Sequence, residues 1–277
     1  MSDTTLGDGA MGTMLQAAGL PLGAAPERWN LERPEAVTWV HAAHAAAGAQ
    51  WATTNTFGAN GLRLALSGLG TRVEEVNRAA VQCARAGAPG LTVLGSMGPT
   101  GTARVQSWEK AYREQAEALA GACVDGFMVE TIVLPAEGAA AVRAAVATGA
   151  GPVFAAFTPG DDGCLLDGTS PETAAEALFR AGAFAVGLNC GSGPESLLEG
   201  VRRLVRADLG PVLAAPNAGL PLIEAGRAVY SLSPDAFARS AIQLEGLGAR
   251  FLAGCCGTSP EHVAAAARAL NRSSHGD

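Results

Sequence analysis

A chain of 277 residues, 48% hydrophobic and only 16% charged, holds ample apolar material for one large core. Its net charge of -7 argues against nucleic acid or an anionic membrane surface as the main partner, and no stretch offers the roughly 18 unbroken apolar residues of a membrane span. Met1 to Thr5 lack the basic and apolar regions of a secretion signal, and six cysteines in a chain this long, two of them adjacent, read as reduced thiols of a cytoplasmic protein.

The elements alternate from the start. Thr4 to Gly7 is a short strand ending in Asp8-Gly9-Ala10-Met11-Gly12-Thr13. Leu22 to Pro34 is an irregular excursion, and Pro34-Glu35 opens a helix over 36–48. A Thr-rich strand over 50–57 precedes a helix over 72–86, a strand over 91–94 and a helix over 108–123. The strand 126–129 ends in Glu130-Thr131; helix 136–148 and strand 152–157 follow. Helix 171–181 leads to strand 185–189, which carries Cys190, and helix 195–207 to strand 211–215, which ends in Pro216-Asn217-Ala218-Gly219. A loop with Pro221 and Tyr230, a helix over 234–247, a strand over 250–253 bearing Cys255-Cys256, and a helix from Pro260 to about Leu270 complete the chain, with 271–277 expected to fray.

Eight strand–helix units with short, continuously apolar strands predict an α/β fold: a single (β/α)8 TIM barrel over 1–277, its site at the C-terminal rim. A doubly wound sheet is the competing arrangement. The unusual residues fall at strand ends: Asp8, Asn55, Glu130, Asn189, Cys190, Asn217, Cys255 and Cys256. Cys190, Cys255 and Cys256 offer three soft thiolates for a zinc ion with one open position, although small buried residues filling the barrel top are the plainer alternative. Zinc so bound favours attack by a substrate thiolate over hydrolysis of water. Cys83 and Cys123 in helices, and Cys164 in a loop, read as packing. None of the four histidines ends a strand, and the only lysine, Lys110, opens an outer helix; this disfavours a His-based metallohydrolase and a Schiff-base aldolase. Asp8 and Glu130 are placed to bind a substrate ammonium, with amides around Gly9, Ala10, Met11 and Gly12 for a carboxylate. Asn55, Asn189 and Asn217 can tie the rim together. Trp29 is chiefly a core or surface anchor and secondarily a cover for substrate.

Seven segments, in order over nearly the whole chain, resemble the homocysteine S-methyltransferase family, and most closely the homocysteine-binding barrel of cobalamin-dependent methionine synthase. They are 8–13, 54–60, 98–100, 130–131, 187–190, 216–219 and 254–258. The resemblance implies zinc on Cys190, Cys255 and Cys256 with homocysteine sulfur in the fourth place, Asp8 and Glu130 on its amino end, and Asn217 close to the metal. Gly9, Ala10 and Thr131 fall within the matching substrate segments. It implies methyl transfer to homocysteine in methionine biosynthesis, the donor being either methylcobalamin on a separate corrinoid protein or a small onium compound. Only one barrel is matched, without the folate, cobalamin-binding and reactivation modules. The aromatic cage suited to a quaternary ammonium would have to draw on Tyr112, Tyr230, Trp29 and Phe57. Closure of the 216–230 loop would exclude water. Another thiol acceptor, a non-catalytic zinc barrel and a zinc hydrolase are the alternatives.

Overall fold

The computed structural model describes residues 4–160, 163–165, 167–224 and 227–273. Ten strands are found: β1 (Thr5–Leu6), β2 (Trp51–Thr53), β3 (Thr92–Met97), β4 (Gly126–Ile132), β5 (Val153–Phe157), β6 (Ala185–Cys190), β7 (Val212–Pro216), β8 (Pro221–Glu224), β9 (Arg227–Tyr230) and β10 (Phe251–Leu252). Eight of them form one parallel sheet in the order β1-β10-β7-β6-β5-β4-β3-β2. A parallel bridge between Gly7 and Trp51 joins its two edges, so the sheet rolls into a nearly closed barrel with the helices outside.

That seam is thin, and side chains reinforce it. Gln50 N–H donates to the Leu6 carbonyl at 2.7 Å, and the Leu6 N–H donates to Gln50 Oε1 at 2.8 Å. One step further along, the Thr53 N–H donates to Asp8 Oδ2 at 2.7 Å, so a carboxylate takes the place of a ladder carbonyl. The edge groups are thereby satisfied where main-chain pairing runs out.

Period-2 alternation sorts the strands into two apolar layers. Phe127, Val129, Val153, Ala155, Phe157, Val186 and Leu188 face the helices. Trp51, Leu94, Met128, Phe154, Ala156, Ala185 and Leu213 fill the barrel interior. Continuing the inward set toward the C-terminal ends gives Ser96 after Leu94, Glu130 after Met128, and Asn189 after Ala185 and Gly187. The polar rim is the top layer of the barrel filling.

Several boundaries differ from the sequence reading. β2 stops at Thr53, because Thr54 and Thr56 fold into a turn with their hydroxyls 2.6 Å apart and Asn55 Nδ2 donates to the Pro26 carbonyl at 2.9 Å. β4 runs three residues further than expected, carrying Glu130 and Thr131 inside the ladder. The segment expected as a loop over 216–230 contains an antiparallel hairpin of β8 and β9; residues 225–226 lie outside the described residues, as do 274–277 of the expected tail. Cys123 is not helical: its helix ends at Gly121, and Cys123 takes φ 65° in the connection to β4. Trp29 is buried among Leu15, Leu20, Val37 and Val40 with the Arg33 guanidinium 4.6 Å above its ring, so it anchors the excursion and does not cover a substrate.

Gly187 sits where β6 and β7 come closest. A Cβ there would lie 1.8 Å from the Leu213 carbonyl oxygen, a main-chain atom inside the barrel wall. Gly187→Ala is expected to cost about 3 kcal/mol or more and to lower the thermal midpoint markedly; an unchanged melting curve by circular dichroism would contradict this account of the wall.

Candidate metal centre

The loops after β6 and β10 bring three sulfurs together. The Sγ atoms of Cys190, Cys255 and Cys256 all lie within 4.8 Å of one another, with Cys190 and Cys255 at 3.1 Å. Backbone bonds between neighbouring strand ends fix the loops: Cys255 N–H donates to Pro216 O at 2.9 Å, Ala218 N–H to Cys256 O at 2.9 Å, and Asn217 N–H to Cys190 O at 3.1 Å. Gly254 N–H donates to Asp8 O at 2.9 Å, so the first strand end is stitched into the same rim.

Cys190 reaches the site through an unusual backbone. Strict alternation would turn it away from the side to which Asn189 points. A left-handed φ of 64° breaks the alternation, so that Asn189 and Cys190 both face the site. The same device recurs on β4. Glu130 follows the inward set, and Thr131 at φ 58° turns to the same side, with its Oγ1 3.7 Å from Cys190 Sγ. Here β4 advances three residues, Val129 to Ile132, while β5 advances two, Ala155 to Phe157: a bulge that re-aims side chains at the rim.

The three thiols titrate as one set. Sulfur hydrogen bonds from Cys190 and Cys255, helped by the Tyr230 hydroxyl, hold Cys256 far below the ordinary thiol range. Cys255 is pushed well up by its bonds to Cys190 and Cys256 together with burial. For Cys190 the bond to Cys255 pulls down, but the interaction with Cys256 and burial outweigh it and carry it up to about 12. Three crowded sulfurs, Cys256 the most readily ionised of them, form a site for a soft cation, which would take the protons' place.

Asp8 is buried and Glu130 half-buried near this cluster. Burial raises Asp8 to about 8 and Glu130 to about 7; the Glu130 charge adds to the first shift and the Cys256 charge to the second. Each carboxyl has one anchor, Thr53 for Asp8 and the Ser96 hydroxyl at 2.5 Å for Glu130. Among the described residues no arginine or lysine pairs with either. Of the amides around Gly9 to Gly12, that of Ala10 is committed to Thr258, at 3.1 Å to its carbonyl and 3.0 Å to its hydroxyl. Those of Gly9 and Met11 make no hydrogen bond within the described residues. Asn217 donates to Gly191 O at 2.8 Å and keeps a buried Oδ1 without a partner, an acceptor that a bound group would satisfy. Asn55, further around the rim, bonds Asn30 and Pro26 and only ties the loop down.

Some contacts at the rim join segments far apart in the sequence. Tyr230, at the end of the hairpin, lays its ring against Gly257, whose φ of 81° and missing Cβ make the approach possible. His44, set aside as a helix residue, has its Nε2 3.3 Å from the Ala10 carbonyl and backs the Gly9–Ala10 turn. Of the other aromatic candidates, Tyr112 is buried with its hydroxyl donating to Glu137, and Phe57 packs on Gly98. Tyr230 alone of the four expected cage residues stands at the sulfur cluster.

Fold and site together define a parallel (β/α)8 barrel with an all-cysteine metal-binding cluster at the C-terminal ends of its strands. The homocysteine S-methyltransferase family profile matches residues 5–270, and the chain belongs to that family. It is 35% identical over 290 residues to methionine synthase of Mycobacterium tuberculosis and 34% identical over 296 residues to that of Mycobacterium leprae, which align with 96% and 98% of this chain. The chain spans about a quarter of the length of these relatives, 24% in each case. Among solved structures, the metallated form of the homocysteine methyltransferase MmuM from Escherichia coli superposes with a TM-score of 0.83 at 27% identity, covering 96% of both chains; its apo form gives 0.76.

Two results are expected. Each of Cys190→Ala, Cys255→Ala and Cys256→Ala lowers bound metal to well under half an equivalent per chain by elemental analysis; one variant keeping a full equivalent would overturn the three-ligand set. Because Glu130 holds its proton more tightly folded than unfolded, the ligand-free protein loses stability as pH rises from about 4.5 through about 7. Glu130→Gln, which cannot ionise, removes that part of the loss and is more stable than the parent at pH 8 by on the order of 3 kcal/mol, read from denaturant midpoints at pH 5 and pH 8.

Proposed function

We propose that residues 1–277 act as one zinc-dependent barrel that transfers a methyl group to the thiol of homocysteine to give methionine. The observation that carries this reading is the pairing of the cysteine cluster with two carboxyls, one buried and one half-buried, that have no cation partner among the described residues. A thiol ligand with an ammonium group complements both. The metal fits as well: tetrahedral zinc with bonds of about 2.3 Å needs sulfurs about 3.8 Å apart, and the three sulfurs here all lie within 4.8 Å of one another. Zinc on three thiolates supplies a soft Lewis acid that lowers the pKa of a substrate thiol while leaving it nucleophilic. The metallated form of the Escherichia coli enzyme, so close in fold, supports the same assignment.

The chain's own residues then divide the work. Asp8 and Glu130 give up their protons as the substrate ammonium arrives, trading a costly buried charge for an ion pair. The Gly9 and Met11 amides receive its carboxylate. Thr131 and Asn217 border the cysteines and limit where the sulfur can sit. Tyr230 and the hairpin cover one side of the cluster and keep water from it. With the amino acid gripped at both ends, its sulfur is held for in-line attack on a methyl group delivered from the open face. The donor is a methylcorrinoid on a separate protein or a small onium compound; loss of Trp29 and Tyr112 from the expected cage weighs against a quaternary ammonium. The setting proposed is the cytoplasm, and among the described residues no helix is long and apolar enough to cross a membrane.

The test is methionine formation by zinc-loaded protein and homocysteine with methylcobalamin, S-methylmethionine, S-adenosylmethionine or betaine. Turnover with S-methylmethionine or S-adenosylmethionine is expected if the barrel works alone, and with methylcobalamin only if a corrinoid protein serves it. No methionine from any of the four would overturn the assignment of homocysteine as acceptor.

A further inference from the structure

Asn189 occupies a position that methyl transfer as described does not use. Its side chain is buried at 1% exposure and makes four polar contacts. Oδ1 accepts from the Thr131 N–H at 2.9 Å, and Nδ2 lies 2.9 Å from Thr131 Oγ1, 3.3 Å from Cys190 Sγ and 3.8 Å from Cys255 Sγ. The orientation of the amide follows from its partners. A main-chain N–H can only donate, so the atom facing it is the oxygen, and the amide N–H groups are left for the hydroxyl and the sulfurs.

Two consequences meet in this one side chain. Thr131 is β-branched at φ 58°, a conformation that costs about 1–2 kcal/mol, and it holds only if its surroundings over-determine it. The bond from its N–H to Asn189 supplies that constraint, and Glu130 is the next residue back. The N–H groups of Asn189 meanwhile face two sulfurs of the cluster, Cys190 and Cys255, which lie 3.1 Å apart. A hydrogen bond to a thiolate withdraws electron density from it, and such outer contacts tune what a metal does.

We propose that Asn189 is a positioning residue with two effects: it holds the left-handed turn at Thr131, and with it the adjoining Glu130, steady beside the substrate ammonium, and it draws charge from Cys190 sulfur so that the metal stays acidic enough to capture a thiol. This rests on the metal-site reading above. The two effects are separable by substitution. Asn189→Ala removes both. Asn189→Asp keeps an acceptor for the Thr131 N–H and replaces the donors by a carboxylate oxygen beside sulfur.

The experiment loads the parent and both variants with Co²⁺ and records the sulfur-to-cobalt charge-transfer band, the metal content, and the band change on titrating homocysteine. Both variants are expected to hold one equivalent of cobalt with the band moved to lower energy, because their sulfur is more electron-rich. Homocysteine affinity is expected to fall at least tenfold in Asn189→Ala and less in Asn189→Asp, where the turn at Thr131 is kept. Glu130→Gln serves as the control, losing affinity without a band shift. Bands matching the parent in both metal-loaded variants would overturn the proposal alone. A parent protein whose band is insensitive to homocysteine would overturn the substrate reading on which it rests.

Discussion

Three sulfurs that repel one another once ionised are held within 4.8 Å, and the arrangement of the rim follows from that requirement. No single loop can enforce such crowding. The barrel does it by bringing the ends of β6, β7, β10 and β1 side by side and bonding each to the next through main-chain amides. Cys255 leans on Pro216, Cys256 on Ala218, and Cys190 on Asn217, so the backbones that carry the sulfurs are pinned to one another. The cluster is preorganised by the wall, and the wall owes its closeness to residues such as Gly187.

The second balance is electrostatic. A negative cluster beside two carboxyls would be costly if all were ionised, and burial keeps Asp8 and Glu130 protonated more readily than exposed acids. The rim is thus less charged than its composition suggests. A cation on the sulfurs and an ammonium on the acids each relieve part of the cost.

Much of this was legible in the sequence. The cysteines punctuate strand ends, and the eight units recur with regular turn residues, so the barrel and its active face follow from pattern alone. Helices 195–207 and 234–247 begin and end where the Pro-Glu and Ser-Pro starts and the following breaks place them. What stayed hidden depended on contacts between distant segments. Nothing near Tyr230 announces that its ring will rest on Gly257, and nothing near His44 that it will back the Ala10 carbonyl. The end of β4 was misjudged because Glu130 and Thr131 look like a loop after an apolar run. Their place in the ladder is made by β5 and Asn189, not by local preference.

A regular strand offers a binding site every second residue, because its side chains alternate. At Glu130–Thr131 and again at Asn189–Cys190, a left-handed residue lets two consecutive side chains enter the same space. Two strand tips thereby present four adjacent functional groups without any added loop. The first member of each pair faces inward by ordinary alternation, and a return of the second to extended geometry would swing that second side chain out of the site. A substitution at Thr131 or Cys190 therefore acts through the backbone as well as through the side chain, whereas one on the exposed β8–β9 hairpin acts through its side chain alone.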